Sequence, residues 1–273
     1  MNICKEHDFK NGNVKGFEMG FAPVGKPLMN VFFYLFDRIL IDTGQSNMRK
    51  YFIELVKDKD IEAVLLTHHH EDHSGNARVV KEMKKVPVYG HPLTVEKLKS
   101  PFRILPYQSY TWGKTEPVEI EPFPDVINSE HFTFIPIHTP GHSKDHTVYL
   151  EQENGWLFAG DFFLGPRIKF FRADENINET IKSLEKVLKY DFDTIFCGLN
   201  PQQKNGKKML QKKLEYLKEF YVKVKELMEK GHSEHEILKQ TGKEERLIKT
   251  LTFGNVGRIH MVRSSIRGIK AEG

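Results

Sequence analysis

Residues 63–73 read AVLLTHHHEDH, and the remainder of the chain is best understood from this stretch. The apolar run at its start has the length and composition of a buried β-strand. Side chains two positions apart point the same way in an extended segment, so His68 and His70 can converge on one metal ion. Asp72 and His73, on the turn that follows, can face a neighbouring ion. The stretch therefore predicts a metal site at the point where a strand leaves the core.

A site of this kind needs ligands from other parts of the chain, because two ligands leave an ion unsaturated. His142 follows a predicted strand in the sequence TPGH, and Asp161 follows another in the sequence AGD. Either residue alone would be an ordinary loop residue. Combined with the histidine cluster, both are predicted to be metal ligands.

The first 200 residues alternate short apolar runs with helical patterns, which indicates a layered α/β protein. Two apolar runs, residues 31–36 and 39–41, are separated only by Asp37-Arg38 and predict a tight hairpin. A helix is predicted over residues 46–57. Residues 101–124 contain five prolines and little periodicity, so we expect a covering loop there rather than framework.

The C-terminal part differs from the rest in charge and in pattern. Residues 204–273 carry 17 Lys and Arg against 9 Asp and Glu, whereas the preceding residues carry 24 against 28. Its pattern predicts a long helix to about residue 230, a capping box over residues 233–236, and two helices near residues 243–251 and 255–269. We expect one domain over residues 1–205 and a basic helical extension, similar to a winged helix, over residues 206–273.

The composition limits the compartment in which the protein works. Its 273 residues include two cysteines far apart in sequence, which offer neither a disulfide framework nor a paired-cysteine metal site. The first 15 residues are polar, and no stretch approaches the roughly 18 consecutive apolar residues that span a bilayer. We therefore expect a cytoplasmic protein with no membrane partner.

Four motifs together resemble those of the metallo-β-lactamase superfamily in order and spacing. They are Asp42-Thr-Gly44, the HxHxDH pattern at residues 68–73, Pro140-Gly-His142 and Gly160-Asp161. The resemblance covers roughly residues 14–205. It implies an α/β fold, a four-layer αββα sandwich, with a two-metal site at one edge of the paired sheets.

The resemblance also implies a role for each motif residue. By carry-over, three histidines hold one ion: His68, His70 and His142. Asp72 and His73 hold the other ion, and Asp161 bridges the two. Asp42 and His146 are implied to support the ligands by hydrogen bonding rather than to bind metal. The implied cofactor is zinc, as two ions, with iron or manganese as alternatives.

One position departs from this family. The family usually supplies a last histidine in a loop after the final strand, and this chain has Leu199 where that histidine would stand. The second ion would then have only Asp72, His73 and Asp161, together with water. Asn200 could offer an amide oxygen, which is a poorer zinc ligand than an imidazole. We therefore expect weakened occupancy of the second position.

The favoured function is hydrolysis of an ester, thioester or lactone, a small-molecule substrate, by a hydroxide bound to metal and oriented by Asp72. The chain resembles the glyoxalase II-like branch, to which the sequence DFFLG at residues 161–165 fits. A mononuclear iron dioxygenase acting on persulfides is an alternative that Leu199 supports. RNA cleavage or nucleic-acid binding is a second alternative, supported by the basic extension. A binding protein with a degraded site is the remaining alternative.

Overall fold

The predicted hairpin at Asp37-Arg38 is present in the computed structural model, which describes residues 2–27, 29–168, 170–242 and 246–272. Strand Val31–Phe36 turns back into strand Ile39–Ile41, with Phe36 opposite Ile39. Asp37 and Arg38 have φ values of 45° and 66°. Positive φ at both central residues is the geometry that matches the twist of antiparallel strands. The turn prediction is therefore confirmed.

The first sheet has seven strands among the described residues, in the order β1 to β7. They are β1 (Ile3–Phe9), β2 (Val14–Gly20), β3 (Val31–Phe36), β4 (Ile39–Ile41), β5 (Ala63–Leu65), β6 (Val88–Gly90) and β7 (Glu121–Pro122). Pairing is antiparallel from β1 to β4 and parallel from β4 to β7. Strand β5 therefore lies inside the sheet, and its carboxyl end leads directly into the histidine cluster.

The second sheet has five strands among the described residues, in the order β12-β11-β10-β9-β8. They are β8 (Ile127–Asn128), β9 (Thr133–His138), β10 (Thr147–Glu151), β11 (Trp156–Gly160) and β12 (Thr194–Cys197). Phe36 and Ile39 of the first sheet pack with Phe134, Phe158 and Phe196 of the second in one buried cluster. The two sheets thus face each other across an aromatic core.

Five α-helices among the described residues lie between the strands of the first sheet in sequence, and three of them bury side chains against its other face. They are α1 (Arg49–Val56), α2 (Glu71–Ser74), α3 (Ala77–Lys84), α4 (Pro92–Leu98) and α5 (Pro106–Thr111). Phe52 of α1 and Val80 of α3 are fully buried against Phe33 and Leu40 of the sheet. Burial of such side chains contributes about 1.5–3 kcal/mol each. Helix, sheet and sheet therefore follow one another as three layers.

The chain divides into two compact units. The first comprises the chain up to His138, Asp145–Leu164 and Asp191–Gly206, and the second comprises Thr139–Lys144, Gly165–Tyr190 and the chain from Lys207 onward. Two segments before residue 205 thus belong with the C-terminal helices. The predicted domain boundary at residue 205 stays a prediction.

Five helices account for most of the described residues of the second unit. They are α6 (Ile177–Val187), α7 (Gly206–Glu229), α8 (Glu234–Thr241), α9 (Arg246–Leu251) and α10 (Arg258–Glu272). The predicted capping box is present, since the Ser233 hydroxyl accepts from the Glu236 amide and the Glu236 carboxylate accepts from the Ser233 amide. Residues 243–245 of the predicted helix lie outside the described residues. None of the helices that the structure describes is long and apolar enough to span a membrane.

The structure differs from the sequence-based expectation at two places. Strands β1 and β2 form a hairpin where no strand was predicted, because β1 is an edge strand with exposed polar residues and lacks an apolar alternation. The expected covering loop at residues 101–124 contains helix α5 and strand β7. Pro106 stands at the start of the helix and Pro122 on the edge strand, where a missing amide is tolerated.

Candidate metal centre

Residues 67–73 after β5, here called the ligand turn, are held in place by the buried carboxylate of Asp42. Asp42 has a φ of 62° and is 3% exposed. It accepts hydrogen bonds from the amide of Thr67, 2.8 Å away, and from the Thr67 hydroxyl. A third bond joins Asp42 Oδ2 to Nδ1 of His73 at 2.6 Å. Asp42 therefore fixes both ends of the segment that carries the histidines.

His68 and His70 face each other, whereas His69 turns the other way. Nε2 of His68 lies 2.8 Å from Nδ1 of His70, and both residues are buried. Nδ1 of His69 lies 3.0 Å from Asp145, which also accepts the His69 amide and the Thr94 hydroxyl. The alternation expected of an extended segment thus separates His69 from its neighbours.

Asp161 is brought to the cluster by an irregularity at the end of β11. The register between β11 and β12 shifts between Phe158 and Gly160, which is a β-bulge. Gly160 has a φ of 44°, and a Cβ there would lie 2.6 Å from the Thr67 hydroxyl, so a side chain at this position would be strained. The Asp161 amide donates to Nε2 of His146 over 3.2 Å. The bulge and His146 together set the direction in which Asp161 leaves the strand.

Three carboxylates of the first unit surround the imidazole of His73. Its Nε2 lies 3.2 Å from Asp161 and 3.7 Å from Asp72, while its Nδ1 faces Asp42. Burial would lower the pKa of His73, but these three carboxylates outweigh burial and raise the pKa well above its ordinary value of 6.5. Without metal, these carboxylates therefore favour the protonated form of His73.

This donor set suits a divalent cation. His68, His73 and Asp161 each offer a ligand atom, and these atoms lie within 4.8 Å of one another. A cation among them would supply the positive charge that the proton on His73 otherwise supplies. Imidazole and carboxylate donors are the ligands of zinc in proteins and also suit iron and manganese. The residues present therefore fit a metal site, and the identity of the metal is open.

Position 199 lies beside this cluster. The amide of Gly198 donates to the Gly160 carbonyl, and the Gly198 carbonyl accepts from Phe32. A Cβ on Gly198 would lie 2.7 Å from Oδ1 of Asp161 and 3.1 Å from Cε1 of His73. Leu199 is thus the residue directly after a backbone position packed on two candidate ligands. Asn200 is exposed in the turn that follows.

The segment predicted to be a covering loop braces the ligand turn. Gln108 of α5 is buried, and its side-chain amide donates to the carboxylate of the buried Glu71 over 3.3 Å. The hydroxyls of Ser74 and Thr115 lie 3.0 Å apart. The amide of Asn47 donates to the Trp112 carbonyl. These bonds fasten the segment to Glu71 within the HxHxDH turn, to Ser74 directly after it, and to Asn47 before helix α1.

His142 belongs to the second unit, on the loop Thr139–Lys144 between β9 and β10. Its Nδ1 lies 3.3 Å from Oε1 of Glu175, and the two side chains are 13% and 12% exposed. Glu175 stands just before helix α6. The predicted ligand residue therefore has a carboxylate neighbour in its own unit.

Several residues of this centre carry no motif signal in the sequence. Tyr149 is fully buried and donates its hydroxyl to the Leu66 carbonyl at the end of β5, and burial raises its pKa well above the ordinary value of 10.0. Glu175 lies far along the chain from His142, and Gln108 lies far from its partner Glu71. Asp145 could have been found, because it lies in the same PGHSKDH stretch as His142.

Comparisons with known proteins agree with this architecture. The family model described as "Metallo-beta-lactamase superfamily" matches residues 30–199. A "Beta-lactamase-like protein 2 homolog" of Drosophila melanogaster is 33% identical over 178 residues, which are 59% of this chain and 54% of that protein. A homolog of the same description from Caenorhabditis elegans is 28% identical over 211 residues, 73% of this chain and 63% of that protein. The chain thus spans less than two thirds of the length of either relative.

Solved structures show the same fold. A metallo-β-lactamase family protein of Thermus thermophilus superposes with a TM-score of 0.62 over 94% of both chains, at 19% identity. A flavoprotein of Thermotoga maritima superposes with a TM-score of 0.61 over 85% of this chain and 71% of its own, at 15% identity. The fold is an α/β metallo-β-lactamase fold with two mixed sheets and C-terminal helices, which confirms the predicted fold class. On the family match over most of its length, the chain belongs to the metallo-β-lactamase superfamily.

Proposed function

We propose that the protein is a metal-dependent hydrolase of an ester, thioester or lactone. The observation that carries the proposal is the buried group of His68, His73 and Asp161 with Asp72 beside it. Neutral imidazoles do not balance the negative charge of the carboxylates around His73, and these carboxylates therefore raise its pKa. A site that favours a cation and stands at strand ends is a typical place for metal-assisted hydrolysis.

We further propose how the ligands are divided. His68, His70 and His142 would hold one ion, Asp72 and His73 would hold the other, and Asp161 would bridge them. Zinc, as two ions, is the cofactor that this set of ligands favours. With Leu199 in place of an imidazole, the second position would bind its ion more weakly.

The residues of the chain would divide the chemical work as follows. Bound metal would lower the pKa of a water ligand to about 7 and polarise the carbonyl oxygen of the substrate. Asp72 would accept a proton from the attacking water and hold that water in line with the carbonyl carbon. Asp42 would keep Nδ1 of His73 protonated, so that Nε2 stays available as a ligand. No serine or cysteine nucleophile is required.

The substrate class is the finer part of the proposal. The sequence DFFLG at residues 161–165, followed by the amphipathic helix α6, supports the glyoxalase II-like branch and hence a thioester or a related acyl substrate. Leu199 favours, as a second candidate, a mononuclear iron dioxygenase of persulfides. The charge of residues 204–273 favours, as a third, cleavage of RNA. A chain with only two cysteines suits a reducing, cytoplasmic setting, which stays a prediction.

One experiment separates these candidates. Protein purified without added metal is analysed for zinc, iron and manganese, and is then assayed on a panel of thioesters, lactones and phosphodiesters, with oxygen uptake measured on a persulfide. The Asp161→Ala variant is the control on every assay. Hydrolysis of an acyl substrate that is lost in the control supports the proposal. Oxygen uptake with stoichiometric iron, or cleavage of RNA alone, would replace it with the second or the third candidate.

A further inference from the structure

The loop that carries His142 is fastened to the start of helix α6. The carbonyl of Gly141 accepts the Asn176 amide over 2.8 Å, and the carbonyl of Pro140 accepts the Ser183 hydroxyl over 2.8 Å. Gly141 has a φ of 139°, and a Cβ there would lie 2.6 Å from the amide nitrogen of Thr180. Only glycine permits this approach, so the loop and the helix form one packed element.

Glu175 is the side chain that this packing brings to His142. Oε1 of Glu175 lies 3.3 Å from Nδ1 of His142 and also accepts the Arg172 amide. Both side chains are largely buried, so the pair is not one of the exposed ion pairs that contribute little. A carboxylate beside one nitrogen of a metal-binding histidine sets the ring orientation and leaves the other nitrogen as the ligand.

The C-terminal helix α10 and the residues before it hold Glu175 in place. The Ser264 hydroxyl of α10 donates to the Glu175 carbonyl over 3.3 Å and accepts the Ile177 amide over 3.0 Å. Ahead of Glu175, the Ala173 amide donates to the Asn255 carbonyl over 2.9 Å. The backbone on both sides of Glu175 is therefore bonded to residues 255–264.

From these contacts we propose that Glu175 is a positioning residue for His142, and that the C-terminal segment supports the metal centre by holding Glu175. The inference rests on the proposed function, in which His142 is a ligand, and it makes Nε2 the ligand atom. It assigns a role to the basic C-terminal segment that requires no nucleic acid. Removal of a carboxylate of this kind weakens metal binding by roughly 10- to 100-fold.

The test compares Glu175→Gln and Glu175→Ala with the wild type. Zinc is titrated into metal-free protein against a chromophoric chelator, and the melting temperature of each variant checks that it folds. We expect zinc affinity to fall in both variants, and further in Glu175→Ala, because glutamine keeps an oxygen acceptor and loses only the charge. Glu185→Gln is the matched control, since Glu185 lies on the adjoining helix α6 in an exposed pair with Lys218.

A second readout does not depend on bound metal. Long-range proton–nitrogen NMR of metal-free protein reports which ring nitrogen of His142 carries the proton in the neutral form. We expect the proton on Nδ1 in the wild type and a shift toward Nε2 in Glu175→Ala. A purely structural role for Glu175 would leave this distribution unchanged and would overturn the inference.

Ser264→Ala tests the contribution of the C-terminal helix. It keeps Glu175 and removes the hydroxyl that bonds the Glu175 carbonyl and the Ile177 amide, so zinc affinity should fall, though less than in Glu175→Ala. His142→Ala separates the two proposals. If His142→Ala leaves zinc binding intact, the ligand assignment itself is wrong. If His142→Ala removes zinc while the Glu175 and Ser264 variants match the control, only the positioning inference is wrong.

Discussion

Two carboxylates each contact a predicted histidine ligand, and the two contacts differ in distance and burial. In the first unit, Asp42 holds His73 at 2.6 Å, and both side chains are almost completely buried. In the second unit, Glu175 lies 3.3 Å from His142, and both side chains keep more than a tenth of their surface exposed. Asp42 stands at the end of a central strand, whereas Glu175 stands between a loop and a helix that the C-terminal segment holds. The difference indicates that strand packing sets the contact between Asp42 and His73, whereas loop and helix packing sets the contact between Glu175 and His142.

The largest effect on metal content should come from removing a proposed ligand in the first unit or in the second unit. His68→Ala and His142→Ala should each remove most of the bound metal, because each takes one of three nitrogens from the first position. Elemental analysis of protein purified without added metal measures the loss. If only His68→Ala loses metal, the second unit contributes no ligand and the comparison fails. Unchanged metal in both variants would rule out the ligand assignment.

Asp161 and His146 test whether a ligand and its support differ in the first unit. Asp161→Ala should reduce kcat/KM by more than the roughly 100-fold that a supporting group is worth, since it removes the proposed bridging carboxylate. His146→Ala should cost roughly 10- to 100-fold, because it removes the acceptor of the Asp161 amide and leaves the proposed ligands in place. Steady-state kinetics on the best acyl substrate of the panel gives the order. Equal or reversed losses would show that the bridge is misplaced.

Leu199→His should strengthen binding of the second ion, which is proposed to be held by Asp72, His73 and Asp161. The new imidazole should tighten the second ion by about 10-fold or more, in line with the value of a single supporting group at a metal site. Zinc, manganese and iron are titrated into metal-free wild type and variant, and hydrolysis is followed on the same samples. Hydrolysis should rise with occupancy, whereas a mononuclear oxygenase would gain nothing. Two ions bound equally tightly by both proteins would mean that another residue already completes the second position.

The smallest effect concerns the proton on His73 in metal-free protein. Since the folded-state pKa is raised, protonated His73 adds stability that is fully present below the unfolded pKa of about 6.5 and is lost as the pH rises through the folded value. The melting temperature of metal-free wild type should therefore fall relative to Asp42→Asn as the pH rises above about 6.5. A change of about 1 kcal/mol would shift it by roughly 2–4 °C. Parallel curves for the two proteins would show that Asp42 does not hold this proton.

Zinc binding offers an independent check on that proton. Metal must displace it, so binding should release a proton, and the apparent affinity should rise with pH. Calorimetry in buffers of different ionisation enthalpy counts the protons released. No difference in proton release between the wild type and Asp42→Asn would contradict the assignment of the proton to His73.

Local patterns alone predicted much of the fold and one part of the metal centre. The spacing of His68 and His70 predicts which way their side chains point, because residues two apart in an extended segment face the same side. Asp72 and His73 follow on a short turn, which limits their directions in the same way. The Asp37-Arg38 break was equally readable, since two residues between apolar runs permit few turns. These features depend on neighbours in sequence and on backbone sterics.

Only the tertiary structure determined which residues far apart in sequence contact one another. Strand β1 was missed because an exposed edge strand carries no apolar pattern. The proline-rich segment at residues 101–124 contacts the ligand turn through long-range bonds such as that from Gln108 to Glu71, which no periodicity encodes. Glu175 lies far along the chain from His142 and follows no motif. Its carboxylate meets that imidazole because Gly141 packs on helix α6 and Ser264 bonds the backbone beside it, so long-range packing, rather than spacing along the chain, sets this contact.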